Sequence, residues 1–355
     1  MSAAAGSGIS YEELQLAARN HGMPLEALQH EITPIGLHYL LVHYDIPVVD
    51  AQTYRLAVTG RVHNQLDLGL DDLKARESVT APVTMECAGN GRAMLEPRPI
   101  SQPWLTEAIG TAEWTGVPLH ALLGEAGIGD DAVEVVFTGL DRGVEGGVEQ
   151  LYERSLTIVD ASREDVLLAY ACNGVPLPPQ HGFPLRLVVP GWYGMTSVKW
   201  LQRITVVDAP FTGYQMVTGY RMRTDADEEG EPVTRMAPRS LLVPPGIPDF
   251  MSRRRFLAPG RHRLQGRAWS GWGPIDRVDV STDGGSTWKP AEVGAPPGPA
   301  AWAPFTFDWD ATEGEHVLTA RTHDTTGRSQ PDAPPWNVGG YANNALQRVP
   351  VTVRA

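Results

Sequence analysis

The 355-residue sequence predicts an α+β domain built on a mixed β-sheet, followed by a β-sandwich. In the first two thirds of the chain, short apolar runs typical of strands outnumber the helical patterns. In the last third, short alternating runs are separated by turn residues such as Asp283, Gly284 and Gly285, a spacing typical of a sandwich. The 37 Gly and 30 Pro residues supply the many turns that short strands need.

The Pro-rich stretch at residues 242–248 indicates a linker between the two domains. We therefore predict a helical N-terminal segment at residues 1–30, a first domain at residues 31–240 and a sandwich domain at residues 241–355. The apolar fraction of 42% is ordinary for a globular protein, and a chain of this length can bury a sizeable core.

Charge and cysteine content exclude several classes of protein. The chain has 42 acidic and 29 basic residues, which argues against broad binding to nucleic acid. An anionic ligand would therefore need locally clustered Arg and Lys side chains. Cys87 and Cys172 are too few for a disulfide framework.

The sequence gives no sign of membrane insertion or export. It has no apolar run of 18 residues, so no membrane-spanning helix is expected. The first eight residues lack the basic region and apolar core of a secretory signal. We expect a cytoplasmic location for the sequence as it stands, or a periplasmic one if a leader has been removed.

The N-terminal region is predicted to begin with a helix at residues 10–20, where Ser10 and Glu13 form a capping box. We expect this helix to pack on the surface or against a partner chain. Residues 37–49 form an apolar run that four polar residues interrupt: His38, His43, Tyr44 and Asp45. Because buried polar groups need partners, this run predicts either a pocket wall or a hydrogen-bonded core.

The remaining elements follow from short apolar patterns and turn residues. Helices are predicted at residues 70–76 and 118–123, and Asn173-Gly174 predicts a hairpin turn. Strands of the first domain are predicted at residues 54–60, 83–87, 133–138, 166–171, 185–189 and 198–207. Strands of the sandwich are predicted at residues 264–269, 278–281, 288–293, 305–309, 316–322 and 349–353.

Residues 83–92 are the stretch around which the first domain is organised. A short apolar strand breaks there at a turn rich in Gly and Asn, which places Cys87 where the strand becomes a loop. Most free cysteines are small buried hydrophobic residues, but Arg92 could stabilise a thiolate. A thiolate can act as a nucleophile or as a soft metal ligand, and the spacing alone does not decide between these roles.

Residues 87–92 read Cys-Ala-Gly-Asn-Gly-Arg, which resembles the Cys-Ala-Gly-Asn-Arg-Arg signature of the sulfite oxidase family of molybdenum enzymes. In that family the cysteine sulfur binds molybdenum directly. Four further segments match in the family's order, at residues 108–119, 181–186, 198–201 and 279–285. The resemblance implies a molybdopterin-binding domain of sulfite oxidase type, followed by an immunoglobulin-like β-sandwich that forms a homodimer.

The resemblance also implies how the cofactor is held. Molybdopterin ends in a phosphate and carries a polar pterin, so basic and hydrogen-bonding side chains must converge near Cys87, the metal ligand. Each candidate has an ordinary alternative as a loop, turn or strand-end residue, but their joint occurrence in the family's order favours cofactor binding. The candidates are Asp141, His181, Arg186, Ser197, Val198 and Lys199.

Three residues match the family's substrate pocket by position. Arg92 matches the second arginine of the signature, and a planar guanidinium suits the oxygens of sulfite or sulfate. Trp104 matches the pocket tryptophan by its distance from residues 108–109. Tyr220 lies about where the family keeps an active-site tyrosine, with a core tyrosine as the alternative.

The main departures from the family affect positive charge. Gly91 replaces the first arginine of the signature, and His43 is interpreted as the replacement of the arginine in the family's Phe-x-Arg-Asn-His motif. A pocket with fewer fixed charges should hold a small dianion less well. A histidine could still bind an anion when protonated, and its ordinary pKa places that change near neutral pH.

We therefore predict a molybdopterin-dependent oxidoreductase that transfers oxygen between water and sulfite, or a related sulfur compound or oxyanion. The chain lacks the haem-binding domain of some relatives, so its two electrons must pass to an external acceptor. The alternatives are a reductase of sulfoxides or oxyanions, and a non-catalytic binding protein with a degenerate site. The sequence fixes neither the substrate nor the direction of turnover.

Three tryptophans in the sandwich region bear on the expected homodimer. Trp269, Trp272 and Trp336 are large apolar groups that need cover, and protein interfaces are enriched in tryptophan. The alternative is that all three belong to the core.

Overall fold

The structure is a computed structural model that describes residues 8–334 and 336–355. Its helices are short; α1 precedes the first strand, and the other described helices lie between strands of the first domain. The helices are α1 (Tyr11–Arg19), α2 (Leu70–Lys74), α3 (Leu119–Ala126), α4 (Ile158–Ala161) and α5 (Tyr214–Val217). Short 3-10 turns lie at Leu25–Gln29, Ile35–Leu37, Arg92–Met94, Pro179–His181 and Gly194–Thr196.

The first domain contains two five-stranded sheets and a small hairpin. Its strands are β1 (Leu56–Gly60), β2 (Leu66–Leu68), β3 (Val79–Glu86), β4 (Ile109–Pro118), β5 (Glu134–Glu145), β6 (Val148–Thr157), β7 (Leu167–Cys172), β8 (Val175–Pro176), β9 (Arg186–Val188), β10 (Leu201–Val207), β11 (Arg221–Met222) and β12 (Glu231–Pro232). One sheet has the order β2-β1-β10-β5-β6, in which β1 and β10 run parallel and the other pairs antiparallel. This is the predicted mixed sheet.

The second sheet of this domain carries the signature strand. Its order is β3-β4-β7-β8, and β9 also pairs with β7. The turn between β7 and β8 is formed by Asn173 and Gly174, whose φ angles of 49° and 76° suit a tight hairpin, as predicted. Cys87 directly follows β3 and is buried in the interior of the molecule.

The core of the first domain forms where α3 packs on the sheets. Leu119, Leu122, Leu123 and Ala126 lie on the buried face of α3, together with apolar residues of β1, β5 and β10. Burial of each such leucine contributes about 1.5–3 kcal/mol. The helix ends at Gly127, which has a positive φ of 68° that a glycine adopts readily.

The C-terminal region is a sandwich of two sheets, as predicted. Its strands are β13 (Arg239–Leu242), β14 (Ile247–Pro248), β15 (Arg255–Leu257), β16 (Gly260–Trp269), β17 (Ile275–Ser281), β18 (Lys289–Pro290), β19 (Glu292–Val293), β20 (Ala303–Ala311), β21 (Gly314–Asp324) and β22 (Val349–Val353). The sheets have the orders β13-β16-β20-β19 and β14-β15-β22-β21-β17-β18. Leu264 and Phe305 from one sheet share a core with Val278 and Val351 from the other.

The Pro-rich stretch at residues 242–248 does not separate two domains. The strand before it, β13, already pairs with β16 of the sandwich, and β14 at its end pairs with β15. The stretch therefore connects two strands of the sandwich, where prolines are tolerated because the segment needs few backbone donors. The domain boundary at residue 240 stays a prediction.

The predicted capping box of α1 is confirmed. The Glu13 amide donates to the Ser10 hydroxyl over 3.2 Å, and the Ser10 amide donates to the Glu13 carboxylate over 2.8 Å. Glu13 is fully buried because it also pairs with Arg98. Across the described parts of the chain, no helix is long and apolar enough to span a bilayer.

Candidate active site

Cys87 lies at the first residue of the turn that follows β3. Its amide donates to the Ala108 carbonyl over 2.9 Å, and its own carbonyl accepts from the Asn90 amide over 3.0 Å. The Asn90 side chain donates to Glu86 over 3.0 Å and accepts from the Ala108 amide over 3.1 Å. These bonds fix the turn, and they leave the Cys87 thiol, only 6% exposed, between two cavities.

The inner cavity lies on one side of Cys87 and collects most of the residues predicted to hold the cofactor. It is also lined by His38, Tyr39, Leu41 and His43. The predicted residues that line it are Asp141, His181, Arg186, Ser197 and Lys199. The structure does not bring Val198 to this cavity, because its side chain is buried in the core of the first domain.

Buried cations of the inner cavity are held by main-chain carbonyls. Arg186 donates to the carbonyls of His181 and Ser197 over 3.0 and 3.2 Å, and burial lowers its pKa to about 10. Lys199 donates to the carbonyls of Leu41 and Gln180 over 2.8 and 3.0 Å. Burial also lowers the pKa of Lys199, whereas the nearby Asp141 carboxylate opposes that shift. The two cations therefore occupy fixed positions.

Two buried polar atoms of the inner cavity lack a partner among the described residues. They are Nε2 of His38 and Oδ1 of Asp141. Buried polar atoms are nearly always hydrogen-bonded, so this pair indicates a polar ligand. Burial lowers the pKa of His38 to about 4 and that of His181 to about 2, which leaves both imidazoles neutral at pH 7. The cavity thus offers one thiol, fixed cations, neutral imidazoles and a carboxylate, a donor set that fits molybdopterin and its metal.

The outer cavity lies on the other side of Cys87 and has a volume of about 280 Å³. It brings together all four residues predicted for the substrate pocket: His43, Arg92, Trp104 and Tyr220. The Trp104 indole is buried beside the Cys87 thiol, and hydrogen bonding from it lowers the pKa of that thiol against the larger opposing effect of burial. Leu41 and His43 line both cavities, beside Cys87.

Arg92 is buried at the edge of the outer cavity and is largely committed to the protein. It donates to the carbonyls of Gly339 and Gln102 over 2.9 and 3.3 Å, and its guanidinium lies 5.2 Å from the centre of the Tyr341 ring. Burial raises the pKa of the Cys87 thiol, and the positive charge of Arg92 opposes that rise. Arg92 therefore favours the thiolate, as the sequence suggested.

The surroundings of His43 favour its neutral form, whereas the expected binding of anions by protonation stays a prediction. Burial, aided by the charges of Lys199, Arg19 and Arg92, lowers its pKa to about 3. Its ring stacks on Tyr152 with centroids 4.6 Å apart, and its Nε2 is 2.5 Å from the Tyr220 hydroxyl. A buried imidazole surrounded by cations gains a proton less readily than one in water.

Tyr220 has a left-handed backbone, with a φ of 51°. A bulky residue rarely adopts this conformation, and such strain is often retained at functional sites. Its ring is 8% exposed and packs 5.2 Å from the ring of Tyr341 and 5.5 Å from the guanidinium of Arg154. The hydroxyl is thereby held at the outer cavity, beside His43.

Several residues of the two cavities were missed from the sequence. Tyr39 was not named, although it belongs to the interrupted apolar run around His38, which lines the inner cavity as its pocket-wall interpretation predicted. Tyr341 follows Gly339-Gly340, a turn signal in the sandwich region that gave no hint of a pocket. Other missed residues of the outer cavity are Leu16, Arg19, Glu145 and Gln215. They come from distant elements that only the fold brings together.

A buried network behind Cys87 joins the two domains. Glu86 accepts from Arg239 over 2.7 Å and from the Trp269 indole over 2.9 Å, and both ion-pair side chains are at most 2% exposed. Arg239 also donates to the carbonyl of Asn343, whose amide donates to the Gly91 carbonyl. Trp269 is thus core, as the alternative for the sandwich tryptophans proposed.

The other two sandwich tryptophans are also in contact with the chain itself. Trp272 is 41% exposed, and its ring lies 4.0 Å from the Arg328 guanidinium. The Trp336 indole donates to the Pro97 carbonyl over 2.8 Å. Only Trp272 therefore presents a substantial exposed face.

Two family models match the chain, one for each region. The oxidoreductase molybdopterin binding domain matches residues 43–215, and the Mo-co oxidoreductase dimerisation domain matches residues 236–354. The first matched range includes Cys87 and every residue of the predicted cofactor set. The second matched range includes the sandwich.

Sulfite oxidases and nitrate reductases are similar in sequence over most of the chain. Sulfite oxidase of Gallus gallus is 36% identical over 348 residues, which cover 92% of this chain and 74% of that protein. Mitochondrial sulfite oxidase of Mus musculus is 36% identical, and the match covers 91% of this chain and 62% of that protein. Nitrate reductase [NADH] 1 of Oryza sativa subsp. japonica is 31% identical, and the match covers 93% of this chain and 39% of that protein.

A solved structure has the same fold. The sulfane dehydrogenase SoxCD of Paracoccus pantotrophus superimposes with a TM-score of 0.81 at 29% identity, covering 94% of this chain and 86% of that chain.

Proposed function

Because this chain belongs to the sulfite oxidase family of molybdopterin-dependent oxidoreductases, we propose that it oxidises sulfite or a related sulfur compound with water as the oxygen source. The reaction releases two protons and two electrons for each oxygen atom that is transferred. In this proposal the electrons pass to a separate acceptor. The observation that carries this proposal is the position of Cys87 between two cavities of different chemistry.

The inner cavity holds the cofactor in this proposal. Cys87 is the protein ligand of molybdenum, and the neighbouring residues that bind molybdopterin are Asp141, His181, Arg186, Ser197 and Lys199. When bound, the cofactor supplies the metal at which oxygen is transferred and two electrons are taken up. The fixed cations neutralise the phosphate, and the neutral imidazoles can each donate one hydrogen bond and accept another.

The outer cavity holds the substrate. Arg92 and the Tyr220 hydroxyl are the donors for a sulfur-bound oxygen, and the Trp104 indole forms the wall beside Cys87. The hydrogen bond between the Tyr220 hydroxyl and Nε2 of His43 holds the two side chains in a fixed orientation at this cavity. The walls limit access of bulk water, so these few polar contacts act in a medium of low dielectric.

A second candidate substrate is a neutral sulfur compound such as a sulfoxide, with the reaction running toward reduction. Two observations favour it. Burial lowers the pKa of His43 to about 3, and the Glu145 carboxylate lines the outer cavity. A carboxylate beside the substrate repels a dianion but not a neutral molecule.

A homodimer formed through the sandwich is also part of this proposal. The match of residues 236–354 to a dimerisation domain supports it. Trp272 is the tryptophan with a free face to contribute. A monomeric mass in solution at micromolar concentration would contradict a dimer of this kind.

The test is a steady-state assay of the molybdenum-loaded protein with sulfite and with a sulfoxide. Sulfite-dependent reduction of a one-electron acceptor such as ferricyanide supports the main proposal. Sulfoxide-dependent oxidation of a reduced viologen, without sulfite turnover, supports the second candidate. A fully loaded protein that turns over neither class of substrate would contradict both.

A further inference from the structure

Helix α1 packs against the outer cavity and contributes to its wall. Leu16 and Arg19 both line the cavity. The residue that ends the helix, Asn20, fixes it there: its side chain accepts from the Val42 amide over 2.7 Å and donates to Gln102 over 3.0 Å. Val42 and Gln102 line the same cavity. The helix lies on the surface, as expected, and one of its edges also forms part of the cavity wall.

Among the other charged groups of the outer cavity, Arg92 can bind an anion with only part of its guanidinium. Two donors of Arg92 are used by main-chain carbonyls, and the surroundings of His43 favour its neutral form. Glu145 is a carboxylate that accepts from Gln215 over 2.7 Å and from the Tyr44 hydroxyl over 3.2 Å. A substrate anion therefore meets little free positive charge from these groups.

Arg19 is more exposed than Arg92 and makes fewer hydrogen bonds to the protein. It is exposed, and its guanidinium makes one long hydrogen bond, over 3.4 Å, to the His43 carbonyl. Most of the N–H donors of its guanidinium are therefore available to a ligand at the mouth of the cavity. A guanidinium fork matches the oxygens of a sulfur oxyanion, which can accept two parallel hydrogen bonds from it.

We infer that Arg19 binds the anionic group of the substrate, because its guanidinium lines the outer cavity from the N-terminal helix and makes one long hydrogen bond to the protein. This inference rests on the proposed oxidation of a sulfur oxyanion. Arg19 is a substrate-binding residue in this account and takes no part in the chemical step. Its loss should therefore weaken binding and leave the bound complex to react normally.

The experiment compares Arg19→Gln, Arg19→Lys and the control Arg261→Gln. Arg261 also carries an exposed positive charge, but it lies on the sandwich, where it pairs with Asp308. In Arg19→Gln the KM for sulfite should rise by about tenfold, the lower end of what a charge-assisted hydrogen bond contributes, with kcat unchanged. Arg19→Lys should show a smaller rise, and the control none.

Binding of sulfate to the molybdenum-loaded proteins, measured by calorimetry, gives a readout that does not depend on turnover. Sulfate should bind more weakly to Arg19→Gln than to the parent and the control, with a smaller dependence on salt. Equal sulfate affinity and equal KM in a fully loaded Arg19→Gln variant would overturn the inference. A parent that binds sulfate through Arg19 but does not oxidise sulfite would contradict the proposed function and leave the inference standing.

Discussion

The inner and outer cavities share Cys87, Leu41 and His43 but hold their charged side chains in different ways. In the inner cavity, Arg186 and Lys199 are fixed by carbonyls of the surrounding loops. In the outer cavity, Arg92 is held by carbonyls in the same way, but the exposed Arg19 makes a single long hydrogen bond. The inner cations are therefore fixed in place, whereas the outer cavity keeps one cation that can adjust to a substrate.

The largest expected effect is at the residue that the cavities share. Cys87→Ser should abolish turnover while the protein stays folded, because a hydroxyl is a much poorer ligand for a soft metal than a thiolate. The matched control is Cys172→Ala, since Cys172 is buried in β7 away from both cavities. Turnover by Cys87→Ser at the rate of the parent would show that the thiol is dispensable. Loss of molybdenum in Cys172→Ala would show that the wrong cysteine has been assigned.

The network behind Cys87 gives the next largest effect. Glu86→Gln leaves Arg239 buried without its charge partner, and breaking a buried pair in this way costs about 3–5 kcal/mol of unfolding free energy. Denaturant unfolding of the variant measures that loss. The surface pair of Arg261 and Asp308 is the comparison, because exposed pairs contribute about 1 kcal/mol or less. Equal losses of unfolding free energy in Glu86→Gln and Arg261→Gln would show that the buried network does not stabilise the protein more than a surface pair.

A direct way to separate the cavities is to remove one cation from each. Lys199→Gln should lower the molybdopterin content of the purified protein, because Lys199 belongs to the inner cavity. Arg92→Gln should keep its cofactor and raise the KM for sulfite by about tenfold or more. Metal analysis and steady-state kinetics on both variants test this. The comparison fails if Arg92→Gln loses molybdenum or if Lys199→Gln changes KM alone.

How much of this site could be predicted from the sequence depends on the cavity. The inner set follows from the family's ordered motifs, although Val198 was included and lies in the core. The outer set was incomplete, because Arg19 and Tyr341 lie far from the signature in sequence and no local pattern links them to it. Contacts of this kind arise only when distant elements fold together.

Two strands of the first domain were also not predicted from the sequence. Strand β4 was not predicted, because Gly110 and Gly116 interrupt its apolar pattern. Strand β6 was not predicted because charged residues such as Glu153 and Arg154 occupy it, and Arg154 is nevertheless buried beneath Tyr220. A sequence pattern shows polarity but not the partners that make a buried charge tolerable.

The smallest expected effect concerns His43. With a pKa lowered to about 3, it should stay neutral, so its titration should leave the KM for sulfite constant between pH 5.5 and 8.5, a range on both sides of the ordinary value of about 6.5. His43→Arg would add a fixed charge and lower that KM by on the order of tenfold. His43→Gln is the uncharged control. A KM that falls as pH falls in the parent, but not in His43→Gln, would show that His43 does become protonated.

The most direct test of the central claim is the sulfur coordination of molybdenum, measured by X-ray absorption on the loaded protein. The account places Cys87 as a metal ligand at the boundary of the two cavities. The parent and Cys172→Ala should then show the same number of sulfur neighbours, and a metal-loaded Cys87→Ser should show one fewer. An unchanged sulfur count in Cys87→Ser would contradict the assignment of Cys87 as the ligand.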